Sequence, residues 1–269
     1  MARHSRKQVE QLAHGLLVRA GATRPEHIDP IKSAQALDLE VTFGHLPGAT
    51  ARVCRHGSRA RIRVSDEIVL PGRRWFSIAH EIGHYLLGHA VANEDSASSW
   101  GRTTCDQRPP HEEREADMFA VAHNMPEALV RTHCKLSPVN LYVARAIADA
   151  FAASPVAAAL RAVDLSAEPC AAMYFGSGRL QWMKRTRAFP FRLPHGARID
   201  RASVVSDFFT NGTLETEPRV LHPTLWFGSH LPNGFAEIVE HAQHVPEPGW
   251  GGVLSVLWLR PGVSAAIAA

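Results

Sequence analysis

Arg74-Trp75-Phe76-Ser77-Ile78-Ala79-His80-Glu81-Ile82-Gly83-His84-Tyr85-Leu86-Leu87 is the stretch on which the fold of this 269-residue chain turns. After the punctuation of Pro71-Gly72, a helix is expected from about Arg73 to His89. On 3.6 residues per turn, His80 and His84 stand about 40° apart on one face. Trp75, Ile78, Ala79, Ile82, Leu86 and Leu87 form a broad apolar arc, so this helix is expected to be largely buried. The histidines lie at the edge of that arc, where an unpaired polar group is costly. Both imidazoles can reach one zinc ion, and Glu81 on the adjoining flank can act as general base on a water molecule there.

A catalytic zinc takes three protein ligands and keeps one open position. A second helix is expected from about His111 to Asn124, with Ala116, Phe119 and Ala120 as its core side. On it Glu113 and Asp117 are spaced i, i+4 and share a face. Glu113 is the preferred third ligand and Asp117 the acceptor that fixes a histidine ring through its N–H. Glu112, Glu115 and His111 compete for the role and are expected to face solvent. His89 misses the histidine position of the longer HExxHxxGxxH pattern by one residue, and is expected at the surface where the helix ends.

Outward from this core, composition is that of a soluble globular protein. The apolar fraction is 45%, the charged fraction 20% and the net charge +3, too slight a bias to argue for nucleic acid by itself. Cys54, Cys105, Cys134 and Cys170 are widely spaced with no CxxC pair, which suits reduced thiols and a cytoplasmic location. No signal peptide is recognised, and no apolar run is long enough to span a bilayer.

Before the zinc helix, an amphipathic helix is expected over Val9 to Ala20 with Leu12, Leu16 and Leu17 on one face. A helical stretch over Ile28 to Leu37 and a strand over Leu39 to Phe43 follow. Ala51 to Val64 reads as a hairpin turning at His56-Gly57-Ser58, and it offers a strand edge for a peptide substrate. Val91 to Pro110 reads as a long polar loop of the kind used for lids. Glu127 to Cys134 is a short helix, and Ser137 to Leu165 is Ala-rich and helical with a break at Ser154-Pro155. From Glu168 the texture changes to strands: Cys170 to Phe175, Leu180 to Arg185, Ile238 to Val245 and Val253 to Leu259.

The stretch from Arg74 to Leu87, with Glu113-Arg114-Glu115-Ala116-Asp117-Met118-Phe119-Ala120 and Met125-Pro126, closely resembles the signature of the ImmA/IrrE metallopeptidase family over roughly residues 8 to 135. The resemblance implies zinc held by His80, His84 and Glu113. It implies a regulatory peptidase that cuts a helix-turn-helix repressor in response to DNA damage or another stress. Ala148 to Arg161 is similar to the helix-turn-helix-like segment of some members, although Arg161 is the only basic residue its second helix offers to DNA. Residues 166 to 269 resemble the α+β, GAF-like domain of the radiation-response branch.

The expected fold is therefore α+β, with a zincin-like helical domain bearing a small antiparallel sheet over 1–136, a helix-turn-helix-like segment over 137–165 and a sensory or docking α+β domain over 166–269. The expected function is that of a zinc endopeptidase, with Mn²⁺ as a substitute ion, acting on a repressor protein. Two rivals stand beside it: a zinc-containing transcription regulator that binds DNA through 139–165, and a catalytically silent sensor. Glu81 argues against the second, because binding a metal alone does not require that residue.

Overall fold

The structure of the chain is a computed structural model that describes residues 4–56, 59–93, 109–222, 224–227, 235–247 and 250–261. It is α+β and divides into two compact units, Met1–His133 with Asp149–Ser154, and Cys134–Ala148 with Pro155–Ala269.

In the first unit, helix α1 (Arg6–Arg19) opens on a capping box: the Ser5 hydroxyl accepts from the Gln8 amide, and the Gln8 side chain accepts from the Ser5 amide. Its buried face is Val9, Ala13, Leu16 and Leu17. Leu12, expected on that face, is exposed, because the helix is phased by Val9 and Ala13. Helix α2 (Pro30–Gln35) is capped by the Asp29 carboxylate, which shortens the helical stretch expected over Ile28 to Leu37.

Strands β1 (Leu39–Gly44), β2 (Ala51–His56), β3 (Arg59–Ser65) and β4 (Ala92–Asn93) form a sheet in the order β1-β3-β2-β4. Only the β2–β3 pair is antiparallel; β1 joins β3, and β4 joins β2, in parallel. Between the sheet and helix α3 (Pro71–Leu86) lies a core that includes Val53, Ile62, Val64, Ile78 and Ile82. Helix α4 (Pro110–Asn124) packs against both α1 and α3. Where it crosses α3, a Cβ on Gly83 would stand 3.0 Å from Phe119 Cβ and 3.2 Å from Ala116 Cα. Absence of that side chain is what lets the two helices approach this closely. Most of the expected lid loop, residues 94–108, and residues 57–58 of the hairpin turn lie outside the described residues.

Helix α5 (Glu127–His133) follows, then α6 (Leu141–Phe151) and α7 (Pro155–Leu165). In the second unit, strands β5 (Cys170–Gly176) and β6 (Arg179–Arg185) pair as an antiparallel hairpin. Next come helix α8 (Val204–Asn211), β7 (Arg219–Leu221), helix α9 (Thr224–Phe227), β8 (Phe235–Glu247) and β9 (Trp250–Pro261). The five strands make one antiparallel sheet, β6-β5-β9-β8-β7. Every residue of β5 is buried, as a strand covered on both faces requires. Ala171, Met173 and Phe175 point into a core shared with Val204 and Val205 of α8, while α7 packs against β5 and β6. Among the described residues no single helix is long and apolar enough to cross a membrane.

Candidate metal centre

Pro71 begins α3 without needing a donor, and Gly88 ends it. Gly88 adopts φ 68°, the Gly88 amide donates to the Tyr85 carbonyl and the His89 amide donates to the His84 carbonyl. This paired closure is a Schellman turn, which reverses the chain back over the last turn of the helix. Glu81 and His84 are buried and His80 is half-buried, at the edge of the apolar arc.

The structure brings His80, His84 and Glu113 together. His80 Nε2 and His84 Nε2 are 2.9 Å apart, His80 Nε2 is 3.2 Å from Glu113 Oε2, and His84 Nε2 is 3.4 Å from Glu113 Oε1. Ligand atoms at about 2.0–2.1 Å from a tetrahedral ion stand roughly 3.3 Å from one another. The three side chains thus offer one face of such a tetrahedron.

Their chemistry fits a cation as well. His80 Nδ1 lies 3.0 Å from Asp117 Oδ1. A carboxylate only accepts, so Nδ1 carries the hydrogen and Nε2 of the neutral ring presents a lone pair to the triangle. A lone pair, a second imidazole nitrogen and a carboxylate crowded at these distances need a proton or a metal ion between them. Burial pulls the His80 imidazole down, but the hydrogen bond to Asp117 and the charges of Glu81, Asp117 and Glu113 together hold it above its ordinary value. Without a metal, this centre attracts protons.

Glu81, one residue after His80, is buried, and its Oε2 accepts a hydrogen bond from the Val53 amide at 2.9 Å. Strand β2 thereby orients the carboxylate. Among the described residues β2 pairs with β3 along its length and with β4 only at Cys54 and Arg55. Strand β3 is flanked on both sides, so only the β2 side of the expected hairpin remains as a docking edge.

Several expectations are corrected. His89 is buried at 7% exposure rather than at the surface, because the turn at Gly88 folds it back against His84. Its Nδ1 is 2.8 Å from His84 Nδ1, and its Nε2 is 3.3 Å from Glu115 Oε2. Glu112 and Glu115, expected in solvent, are buried, since this side of α4 faces α1 and α3. Glu115 accepts from His4 through both the backbone amide and the ring. His123, near the end of α4, is fully buried, and its ring bonds the Ser33 hydroxyl and Asn124 Oδ1. His111 is half-buried in the first turn of α4. Arg161, the one basic residue available for a DNA contact on α7, is 2% exposed.

Residues 34–163 match the model of the IrrE N-terminal-like domain. No curated protein matches the sequence. The fold is similar to that of a solved Mycobacterium tuberculosis transcriptional regulator, with a TM-score of 0.57 at 17% identity over 93% of this chain and 76% of that one. Every element from β1 to α6, with His80, His84 and Glu113 among them, falls within the matched residues, and this stretch of the chain is similar to the IrrE N-terminal-like domain of the ImmA/IrrE metallopeptidase family.

Proposed function

We propose that this chain is a zinc-dependent endopeptidase that makes a regulatory cut in a helix-turn-helix repressor in response to stress or DNA damage. The observation that carries the reading is the triangle of His80 Nε2, His84 Nε2 and Glu113, with Glu81 near enough for its charge to raise His80. Zinc in that triangle, or Mn²⁺ as a substitute, supplies the Lewis acidity that makes water a nucleophile near neutrality and polarises a peptide carbonyl.

The protein's own groups do the rest. Glu81 takes a proton from the attacking water and returns it to the departing amine. The Val53 amide holds one oxygen of that carboxylate, so the base keeps a fixed aim. Asp117 fixes the ring of His80 through Nδ1. A substrate segment docks in extended form beside β2, next to the strand that holds the base. The second unit serves sensing or docking rather than chemistry. The cytoplasm suits the three free cysteines among the described residues, Cys54, Cys134 and Cys170. A DNA contact through α7 loses support, because Arg161, its one basic residue, is buried.

The test is cleavage of the repressor encoded beside the gene. Glu81→Gln should keep the fold and the metal yet lose roughly 10²–10⁴-fold in rate, the usual share of a general base. His84→Ala should lose metal and cleavage together. Cleavage by Glu81→Gln near the wild-type rate overturns the assignment of the base.

A further inference from the structure

A buried chain of polar side chains runs behind His84, away from the triangle. His84 Nδ1 lies 2.8 Å from His89 Nδ1, His89 Nε2 lies 3.3 Å from Glu115 Oε2, and Glu115 Oε2 lies 2.8 Å from His4 Nδ1. His84, His89 and Glu115 are all buried, at 0%, 7% and 4% exposure. Two readings compete. His4, His89 and Glu115 bring one ligand atom each to within 4.8 Å of one another, which is the outline of a second metal site. The alternative is a directed relay of hydrogen bonds.

The proton positions decide between them. If His89 bound an ion through Nε2, its Nδ1 would carry the hydrogen. If His84 binds an ion through Nε2, its Nδ1 carries a hydrogen too. Two N–H groups would then face each other at 2.8 Å, which no tautomer of a neutral imidazole pair relieves. In the relay every group is satisfied. His89 Nε2–H donates to the Glu115 carboxylate, which leaves His89 Nδ1 as an acceptor for His84 Nδ1–H. His84 Nε2 is then left with its lone pair aimed into the triangle.

We propose that His89 is a positioning residue: with Glu115 behind it, it fixes the tautomer and ring plane of His84 and thereby tightens metal binding at His80, His84 and Glu113. The inference rests on the metal centre proposed above. The sequence builds the relay locally, since Gly88 in the left-handed region turns His89 back onto a residue five positions earlier. His4, just ahead of α1, closes the far end by donating to Glu115 from both its amide and its ring. Asp117 does for His80 in one step what His89 and Glu115 do for His84 in two.

The experiment measures zinc stoichiometry and affinity by competition with a chelator, and the visible spectrum of the Co²⁺-loaded full-length chain. Wild type should bind one ion tightly. His89→Leu, close in size but without polar ends, should still bind one ion, about 10–100-fold more weakly and with altered Co²⁺ bands, as other losses behind a metal-bound histidine do. His89→Gln carries both an acceptor and a donor and should recover most of the affinity. A packing role predicts the reverse order, with Leu tolerated and Gln not. Should His89→Leu fail to fold, Glu115→Gln, which removes the charge at unchanged shape, must show the same loss. Unchanged affinity in both variants overturns the relay. Two ions in wild type and one in Glu115→Gln overturn it in favour of a second site. If His84→Ala binds zinc as wild type does, the metal centre itself is wrong, an outcome separate from either.

Discussion

His80 faces Asp117 on one side and the triangle on the other, so the Asp117 charge bears on both its proton affinity and its basicity toward a metal. Its folded value is raised, so in the metal-free protein this histidine stabilises the fold fully below its unfolded value of 6.5. That contribution fades as pH rises through the raised value. Metal loading would run the other way, because an ion held by His80 would have to displace that proton. Asp117→Asn keeps an acceptor for Nδ1–H but removes the charge. Plateau zinc affinity at high pH should fall, because the ring becomes less basic. The pH at which affinity reaches half its plateau should also fall, because the proton competes less well. A chelator titration across pH reads both, and an unmoved half-point would show that Asp117 does not govern His80. At this scale the sequence is legible where chemistry follows helical spacing: i, i+4 geometry pairs His80 with His84 and Glu113 with Asp117, Glu81 lies on the adjoining flank of the histidines, and the structure brings His80 and His84 together with Glu113 and Asp117. It hid His89 and Glu115, because neither burial nor a turn's reversal has a period. Gly88 was the only signal that His89 folds inward.

Helix α3 was legible from its apolar arc, and α4 from Ala116, Phe119 and Ala120. What periodicity could not supply is how near the two helices approach, and that separation places Glu113 against the histidines. Gly83 sets it. Replacing it with Ala gains about 1 kcal/mol of helix propensity. It also forces a methyl against Phe119 Cβ and the Ala116 backbone, and such overpacking costs roughly 1–3 kcal/mol. The clash should win, because one contact is main chain and cannot swing away. Gly83→Ala is therefore expected to lower zinc affinity at least about tenfold, by levering Glu113 away, with little or no gain in thermal stability. Gly15→Ala in α1 is the control: it lies on an exposed face with nothing within 4 Å of the added methyl, and should stabilise by up to about 1 kcal/mol. Wild-type zinc affinity in Gly83→Ala, with a raised melting temperature, would show that the interface yields. Elements missed in the sequence failed for related reasons. Helix α8 is only eight residues long, and Val204, Val205, Phe208 and Phe209 read equally as strand, although Ser203 and Gly212 mark its two caps. Strand β7 exists through its pairing with β8, and the parallel β1–β3 pair joins segments separated by β2, which no local pattern encodes.

All the residues proposed as ligands and base lie in the first compact unit, and the second carries a different ionisable feature. The change of texture after Glu168 announced a sheet domain, and the hairpin of β5 and β6 was readable from Gly176-Ser177-Gly178. Strands β8 and β9 were found but read too short, since their outer ends carry polar and proline residues. Nothing in the pattern marked Glu240, within β8, as fully buried. Its carboxyl accepts from the Ser203 hydroxyl and the Val204 amide at the start of α8, and from the Ser255 hydroxyl on β9. Burial nevertheless outweighs these donors and pushes its pKa up to about 7 from 4.5. The folded unit therefore holds a proton that the unfolded chain releases, so this carboxyl stabilises the fold fully below about pH 4.5 and ceases to as pH climbs through about 7. At about 1.4 kcal/mol per pH unit, the loss over that window is about 3 kcal/mol. Glu240→Gln can keep its one carbonyl oxygen as the acceptor for Val204 and turn its NH2 to the serine hydroxyls, which can accept, and it carries no charge at any pH. Urea unfolding at pH 5 and pH 8 should show the wild-type second unit weakening by this amount relative to the variant, with Glu240→Gln the more stable of the two at pH 8. Parallel pH profiles for the two proteins would mean that Glu240 stays ionised in the fold, held by its hydrogen-bond donors against the pull of burial.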